Sequence, residues 1–235
     1  FRKVILNDIN KDLMNTYRII KEKPYELIKE LEKITNEFFS LDEEGRKEYY
    51  YKARELFNKL KKEENNLIKS SALFIFLNKT CYNGLFRVNK KGDFNVPYGR
   101  YKNPKIFDKQ NLLKISKVLR NVTLLNKDFE AIEEYVDNKT FVYFDPPYKP
   151  ISKTSSFTSY NSKEFDDKEQ IRLSEFFKKL DKKGAKLMLS NSCVLDFFNK
   201  LFSNFKIRKI NAKRMINSKG DKRGQEVCEL IITNY

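Results

Sequence analysis

The chain has 235 residues, with 48 lysines and arginines against 32 aspartates and glutamates, and a formal net charge of +16. Such an excess attracts a polyanion and makes the attraction salt-dependent. Histidine and tryptophan are both absent, which excludes Ser-His-Asp triads, zincin sites and histidine-containing zinc fingers.

Val4-Ile5-Leu6 reads as a short strand closed by Asn7-Asp8. From Asn10 to Lys23 the pattern is helical, because Leu13, Met14, Tyr17 and Ile20 share a face. Pro24 then opens a second helix at a position proline tolerates. Leu41 to Asn78 is charged and mostly helical, ending in an apolar stretch (Leu67 to Leu77) suited to burial. Between Lys79 and Pro104 the composition shifts to Gly, Asn, Pro and aromatics, predicting loops and a hairpin around Lys91-Gly92-Asp93. After Gln110 an α/β rhythm resumes: a helix to Leu119, a strand Val122–Leu125, a helix near Glu130–Tyr135, and a strand over Thr140–Phe144 read as buried. A helix from Asp166 to Leu180, a strand Lys186–Leu189 and a helix Val194–Phe202 follow. Phe205–Ile210 and Val227–Thr233 alternate, with a polar, glycine-containing loop and no room for a helix between them, so they are predicted to pair antiparallel. Cys81, Cys193 and Cys228 are odd in number and form no C-x-x-C pair, which predicts reduced, structural thiols and no metal site. No apolar run approaches a membrane span and no secretory signal opens the chain, so a soluble cytoplasmic protein is expected.

Asp145-Pro146-Pro147-Tyr148 constrains function most. Two prolines cannot continue a sheet ladder, so the backbone turns away at the carboxyl end of a strand, where open α/β sheets bind ligands. A carboxylate and a proline carbonyl can each accept one N–H of a planar exocyclic amine, returning the nitrogen lone pair to the outside. Tyr148 can stack on the base. Three further stretches accompany this motif: Asn83-Gly84-Leu85-Phe86-Arg87-Val88-Asn89, Phe94-Asn95-Val96-Pro97-Tyr98-Gly99-Arg100-Tyr101-Lys102, and Phe157-Thr158-Ser159-Tyr160. Together they resemble the Dam-type (D12 class) adenine-N6 DNA methyltransferases, and the likeness runs the length of the chain.

The resemblance implies an α/β fold: a doubly wound methyltransferase-type sheet with a terminal antiparallel strand pair and a mainly helical target-recognition insert. Residues 1–40 and 105–235 would form the methyltransferase domain and 41–104 the insert. It implies S-adenosyl-L-methionine as cofactor, with Asp8 and Ile9 at the ribose, Asp128 and Phe129 at the adenine, and Asp145 near the methionine amino group. Asp145, Pro146, Pro147 and Tyr148 would be catalytic. Double-stranded DNA would be the partner, in the nucleoid of the cytoplasm. Residues matching Tyr82, Asn83, Leu85 and Arg87 read GATC in the family, making GATC the expected target. Arg87 suits a guanine edge and Asn83 a base edge. Tyr82 suits the gap left by an extruded adenine. Asn95, Pro97, Arg100, Tyr101 and Lys102 complete the expected DNA contacts, the last three at the backbone. A restriction endonuclease of the same site is an expected functional companion, without a stable complex.

Two departures stand out. The family's Phe-x-Gly-x-Gly motif is missing, since the seven glycines never form G-x-G, and its Lys-Trp segment is missing too. A preceding strand and helix are therefore expected before Phe1, and residues 1–235 alone are expected to bind the cofactor weakly. Two rivals follow from that gap: a catalytically incomplete DNA-binding fragment, and one part of a split methyltransferase. Cytosine-N4 relatives prefer Ser where Asp145 stands and RNA- or glutamine-acting relatives Asn, so Asp145 favours adenine in DNA.

Overall fold

The computed structural model describes residues 3–151, 165–213 and 226–235. The Phe157–Tyr160 motif and the loop joining the last two strands lie outside the described residues. The chain forms two compact units, Phe1–Phe129 and Glu130–Tyr235.

In the first unit β1 (Val4–Asn7) pairs in parallel with β2 (Val122–Leu125), Val4 opposite Val122 and Asn7 opposite Leu125. Between them run α1 (Lys11–Glu22), α2 (Pro24–Phe39), α3 (Glu43–Glu63), α4 (Leu67–Thr80) and α5 (Lys109–Leu119). Their starts follow local chemistry. The Asn10 side chain caps α1 by accepting from the Asp12 and Leu13 N–H groups, Pro24 occupies the first turn of α2, and Asp42 caps α3 through the Gly45 N–H. α4 is apolar and packs against α1, α2 and α3. Leu31, Phe38, Tyr50, Phe57, Phe76 and Leu77 meet there with almost no exposure, so residues of the expected insert share one core with the two helices that follow β1.

The loops after α4 are drawn back onto this core. Tyr98 bridges to Cys81, and the Gly99 N–H reaches the Thr80 carbonyl at 2.8 Å. A Cβ on Gly99 would lie 2.6 Å from the Cys81 carbonyl oxygen, so the close approach needs glycine. Val88 bridges to Phe94 across the expected hairpin, whose turn contains Gly92 at φ +80°.

The second unit holds a four-stranded sheet in the order β3-β4-β6-β5. β3 (Phe141–Phe144) is parallel to β4 (Lys186–Ser192), which pairs antiparallel with β6 (Glu226–Thr233), itself antiparallel to β5 (Lys206–Lys213). The terminal antiparallel pair is present as expected. α6 (Asp167–Lys182) and α7 (Leu195–Leu201) complete the unit. Phe144, Phe176, Phe177, Phe198 and Phe202 form its aromatic core.

Three expectations are corrected. β3 is not buried throughout: Val142 and Phe144 are, but Phe141 and Tyr143 are 43% and 52% exposed, because side chains alternate and only one face meets the core. The segment near Glu130 is a 3-10 helix, Phe129–Tyr135. The thiols are not all reduced. Cys193 and Cys228 form a disulfide, continuing the β4–β6 register one step beyond Ser192 opposite Glu229, while Cys81 is a buried free thiol. Burial pushes the Cys81 thiol up to about 11, which leaves it unreactive. Among the described residues no cluster of side chains suits a metal ion, and no helix is long and apolar enough to cross a membrane.

Candidate active site

At the carboxyl end of β3 the chain turns into Asp145-Pro146-Pro147-Tyr148. Tyr143 and Asp145 project from the same face, and across the parallel register the face of β4 presents Ser190. The Ser190 hydroxyl has one hydrogen. It donates to Asp145 Oδ1 at 3.0 Å, so at its 3.0 Å contact with Tyr143 Oη it accepts. Asp145 is exposed, and no described residue takes its second oxygen. Tyr148 is half-buried, and its hydroxyl donates to Glu229 Oε2 at 3.3 Å. Burial raises the Tyr148 pKa, so the phenol stays neutral and keeps its donor hydrogen. Pro147 is not free as a carbonyl: Gln170 Nε2 donates to it at 3.0 Å.

The first unit offers a second strand-end cluster. Asn7 and Asn126 tie the carboxyl ends of β1 and β2 together: Asn7 Nδ2 donates to the Asp128 carbonyl (3.1 Å), Asn7 Oδ1 accepts the Lys127 N–H (3.0 Å), and Asn126 Nδ2 donates to the Asp8 carbonyl (2.8 Å). These bonds hold the Asp8 and Asp128 loops side by side. Asp8 Oδ1 accepts the Asn10 N–H at 2.7 Å, and no described residue takes Oδ2. Burial raises the Asp8 pKa, opposed by that one backbone donor. A desolvated carboxylate with an unclaimed oxygen fits a ligand that brings hydroxyl donors. Ile9 is 55% exposed beside it, and Phe129 follows Asp128 at the start of the 3-10 helix.

Most of the expected DNA-reading residues are joined in pairs. The Tyr82 N–H reaches the Pro97 carbonyl at 2.8 Å, and Tyr101 Oη accepts the Asn83 N–H at 3.0 Å. Asn83 adopts φ 57°, a left-handed conformation that asparagine tolerates. Arg87 Nε donates to Asn95 Oδ1 at 2.8 Å and Nη2 to the Asn95 carbonyl at 3.3 Å, which aims the guanidinium. Leu85 is partly buried and packs against the core of the first unit. Arg100 and Lys102 are gathered elsewhere. Arg100 lines a shallow cleft with Glu43, Glu44, Lys47 and Tyr98, and the Lys102 carbonyl accepts from Arg46 Nη1 at 3.1 Å.

Sequence reasoning missed the supporting residues. Asn58 of α3 pairs with both backbone groups of Phe94, and Ser190, Asn191, Ser192 and Gln170 hold the Asp145 loop. One signal was available: the apolar run Leu187-Met188-Leu189 passes straight into Ser190-Asn191-Ser192, an unusual polar ending for a core strand.

In each unit a carboxylate stands at the carboxyl end of a strand, and in the second it opens a proline-stiffened loop, features of an α/β protein that binds its ligands at strand ends. A family model for D12 class N6 adenine-specific DNA methyltransferase matches residues 1–216. The chain is 63% identical over 235 residues to the Type II methyltransferase M.MjaIII of Methanocaldococcus jannaschii, covering all of this chain and 81% of that protein. It is 41% identical to the Type II methyltransferase M1.LlaDCHI of Lactococcus lactis subsp. cremoris (100% and 80% covered) and 32% identical to the DNA adenine methylase of Escherichia coli K12 (98% and 79% covered). The chain belongs to the D12 class of N6 adenine-specific DNA methyltransferases, enzymes that take their methyl group from S-adenosylmethionine and act on DNA.

Proposed function

We propose that this enzyme methylates N6 of an adenine flipped out of duplex DNA, within the sequence GATC. The observation that carries the reading is the state of Asp145: an exposed residue with one oxygen fixed by Ser190 and the other taken by no described residue, beside a carbonyl-bearing proline turn and an anchored tyrosine. Asp145 Oδ2 and the Pro146 carbonyl each accept one N–H of the adenine amine, and Tyr148 stacks on the base. That grip pulls the nitrogen towards tetrahedral geometry and aims its lone pair outward. When bound, S-adenosylmethionine supplies an activated sulfonium methyl. The protein therefore contributes alignment and electrostatic complementarity, not a strong base. The surplus proton on nitrogen leaves to Asp145 or to water.

Asp8 and Ile9 are assigned to the cofactor ribose, Asp128 and Phe129 to its adenine, and Asp145 also to its methionine amino group. The Asp8 oxygen that no described residue takes supports the first assignment. Residues 41–104 are assigned to target reading, on a doubly wound methyltransferase fold formed by the rest. Asn83, Leu85 and Arg87 match the family's GATC readers, with Tyr82 filling the gap in the duplex. Asn95, Pro97, Arg100, Tyr101 and Lys102 support them. Because two relatives carry the name Type II methyltransferase, a restriction endonuclease of the same site is proposed as companion, in the cytoplasm with the DNA.

The test is transfer of a labelled methyl group to a GATC duplex, followed by digestion with methylation-sensitive endonucleases. Asp145→Ala should abolish transfer while the fold stays intact. Transfer to non-GATC duplexes at equal rates removes the sequence assignment, and retained turnover in Asp145→Ala removes Asp145 from the mechanism.

A further inference from the structure

The carboxyl end of β4 carries Ser190, Asn191 and Ser192, exposed by 2%, 0% and 1%, and Gln170 of α6 is 2% exposed. Burying four polar side chains is unfavourable unless each is paired. Every one of them is paired with the Asp145–Lys149 loop or with a group that holds it. Gln170 Nε2 donates to the Pro147 carbonyl at 3.0 Å, and Gln170 Oε1 accepts from Asn191 Nδ2 at 3.2 Å. Asn191 Oδ1 accepts the Lys149 N–H at 2.9 Å, and the Ser192 hydroxyl donates to the Lys149 carbonyl.

The direction of this chain is set by backbone donors. Asn191 Oδ1 takes two N–H groups, those of Lys149 and Ser192, each at 2.9 Å. Its Nδ2 must then face Gln170, so Gln170 presents Oε1 to Asn191 and Nε2 to Pro147. Prolines have no N–H to anchor a loop. The brace holds the next groups along instead, the Pro147 carbonyl and both backbone groups of Lys149. No hydrogen bond among the described residues takes the Pro146 carbonyl.

We propose that Gln170 and Asn191 are positioning residues for methyl transfer, clamping Pro147 and Lys149 so that the Pro146 carbonyl and Asp145 stay turned towards the target amine. The inference rests on the assignment of Asp145 and Pro146 as the grip on that amine. Gln170 and Asn191 touch neither substrate nor cofactor. They act through the loop, so their loss is read in turnover and not in binding.

Gln170→Glu in the full-length enzyme tests this. The replacement is nearly isosteric and still accepts from Asn191, but an ionised carboxylate has no hydrogen for the Pro147 carbonyl, whereas the protonated form has one. The ratio of variant to parent kcat should fall as pH rises through the introduced carboxyl's pKa, approaching a loss of about 10²-fold, the scale of a small misplacement of reacting groups. KM for DNA and for S-adenosylmethionine should not change. A ratio that is flat with pH, or a loss carried by KM, overturns the proposal.

A second measurement needs no turnover. In Asn191→Ala the Lys149 amide loses its acceptor and should exchange its hydrogen at least about tenfold faster, while the Leu189 amide in the β4 ladder reports that the sheet holds. If Asn191→Ala loosens the sheet, the pH profile of kcat in Gln170→Glu decides alone. Unchanged Lys149 exchange refutes the brace. A parent enzyme that transfers no methyl group to adenine refutes the assignment beneath it, and the exchange result separates the two failures.

Discussion

Replacing Asn58 of α3 by leucine tests how the hairpin proposed to read DNA is held. Val88 and Phe94 face each other as a non-hydrogen-bonded antiparallel pair. The flanking bonds run from the Asn89 N–H to the Asp93 carbonyl (2.9 Å) and from the Asn95 N–H to the Arg87 carbonyl (3.1 Å). The N–H and carbonyl of Phe94 therefore point out of the hairpin. Asn58 takes both: Oδ1 accepts the N–H at 2.8 Å and Nδ2 donates to the carbonyl at 3.1 Å. Leucine keeps the volume and removes both partners. Each stranded group costs about 1–3 kcal/mol, and because Asn58 is only half-buried the expected total is about 2–4 kcal/mol. Tyr50→Phe is the matched control. Its hydroxyl donates to the Val96 carbonyl at 2.8 Å, but Arg54 Nη1 also reaches that carbonyl at 3.2 Å, so nothing is stranded and the loss is about 0.5–1.5 kcal/mol. Urea denaturation at constant m-value reads both changes. Duplex binding supplies the functional side: Arg87 and Asn95 flank the Val88–Phe94 pair, so discrimination between GATC and a mismatched site should weaken in Asn58→Leu and not in Tyr50→Phe. If Asn58→Leu costs no more than Tyr50→Phe, the hairpin is not held through Phe94.

Two further outcomes are expected. Arg87→Ala should relax discrimination at one base pair by roughly 1–3 kcal/mol in competition binding, and a uniform loss over all sequences would instead make Arg87 a phosphate contact. For Asp8, burial raises the folded-state pKa, so protonation favours the fold. That contribution to stability is fully present below the ordinary carboxylate pKa and is lost as pH rises through the raised value. Under the proposed ribose assignment cofactor binding has the opposite sign, because accepting a ribose hydroxyl on the oxygen that no described residue takes favours the ionised form. Calorimetric titration should show S-adenosylmethionine affinity falling as pH drops through that raised value, and Asp8→Asn should remove this dependence. The same pH profile in Asp8→Asn would detach Asp8 from the ribose.

Much of the architecture was legible locally. Asn10 and Pro24 mark helix starts because caps and proline act within a turn of their own position. The apolar period of α1, the turn at Gly92 and the antiparallel closing pair follow from equally short-range preferences. Asp145-Pro146-Pro147-Tyr148 also declared the end of β3, since two prolines end a strand whatever surrounds them.

Other features depend on partners far along the chain. Strand β4 runs three residues past its apolar core because the β6 ladder pairs the backbone of Ser190, Asn191 and Ser192, while the Asp145–Lys149 loop and Gln170 pair their side chains. Asn58 meets Phe94 across 36 residues, and Cys193 meets Cys228 across 35. Phe141 and Tyr143 have the composition of core residues, yet they are exposed because only one face of β3 is covered by its unit's core. Backbone preference is fixed by neighbours in sequence, so the chain alone determined where helices begin and where the Asp145-Pro146-Pro147-Tyr148 corner falls. Burial and hydrogen-bond pairing are fixed by neighbours in space, so only the tertiary structure decided which groups hold that corner in place.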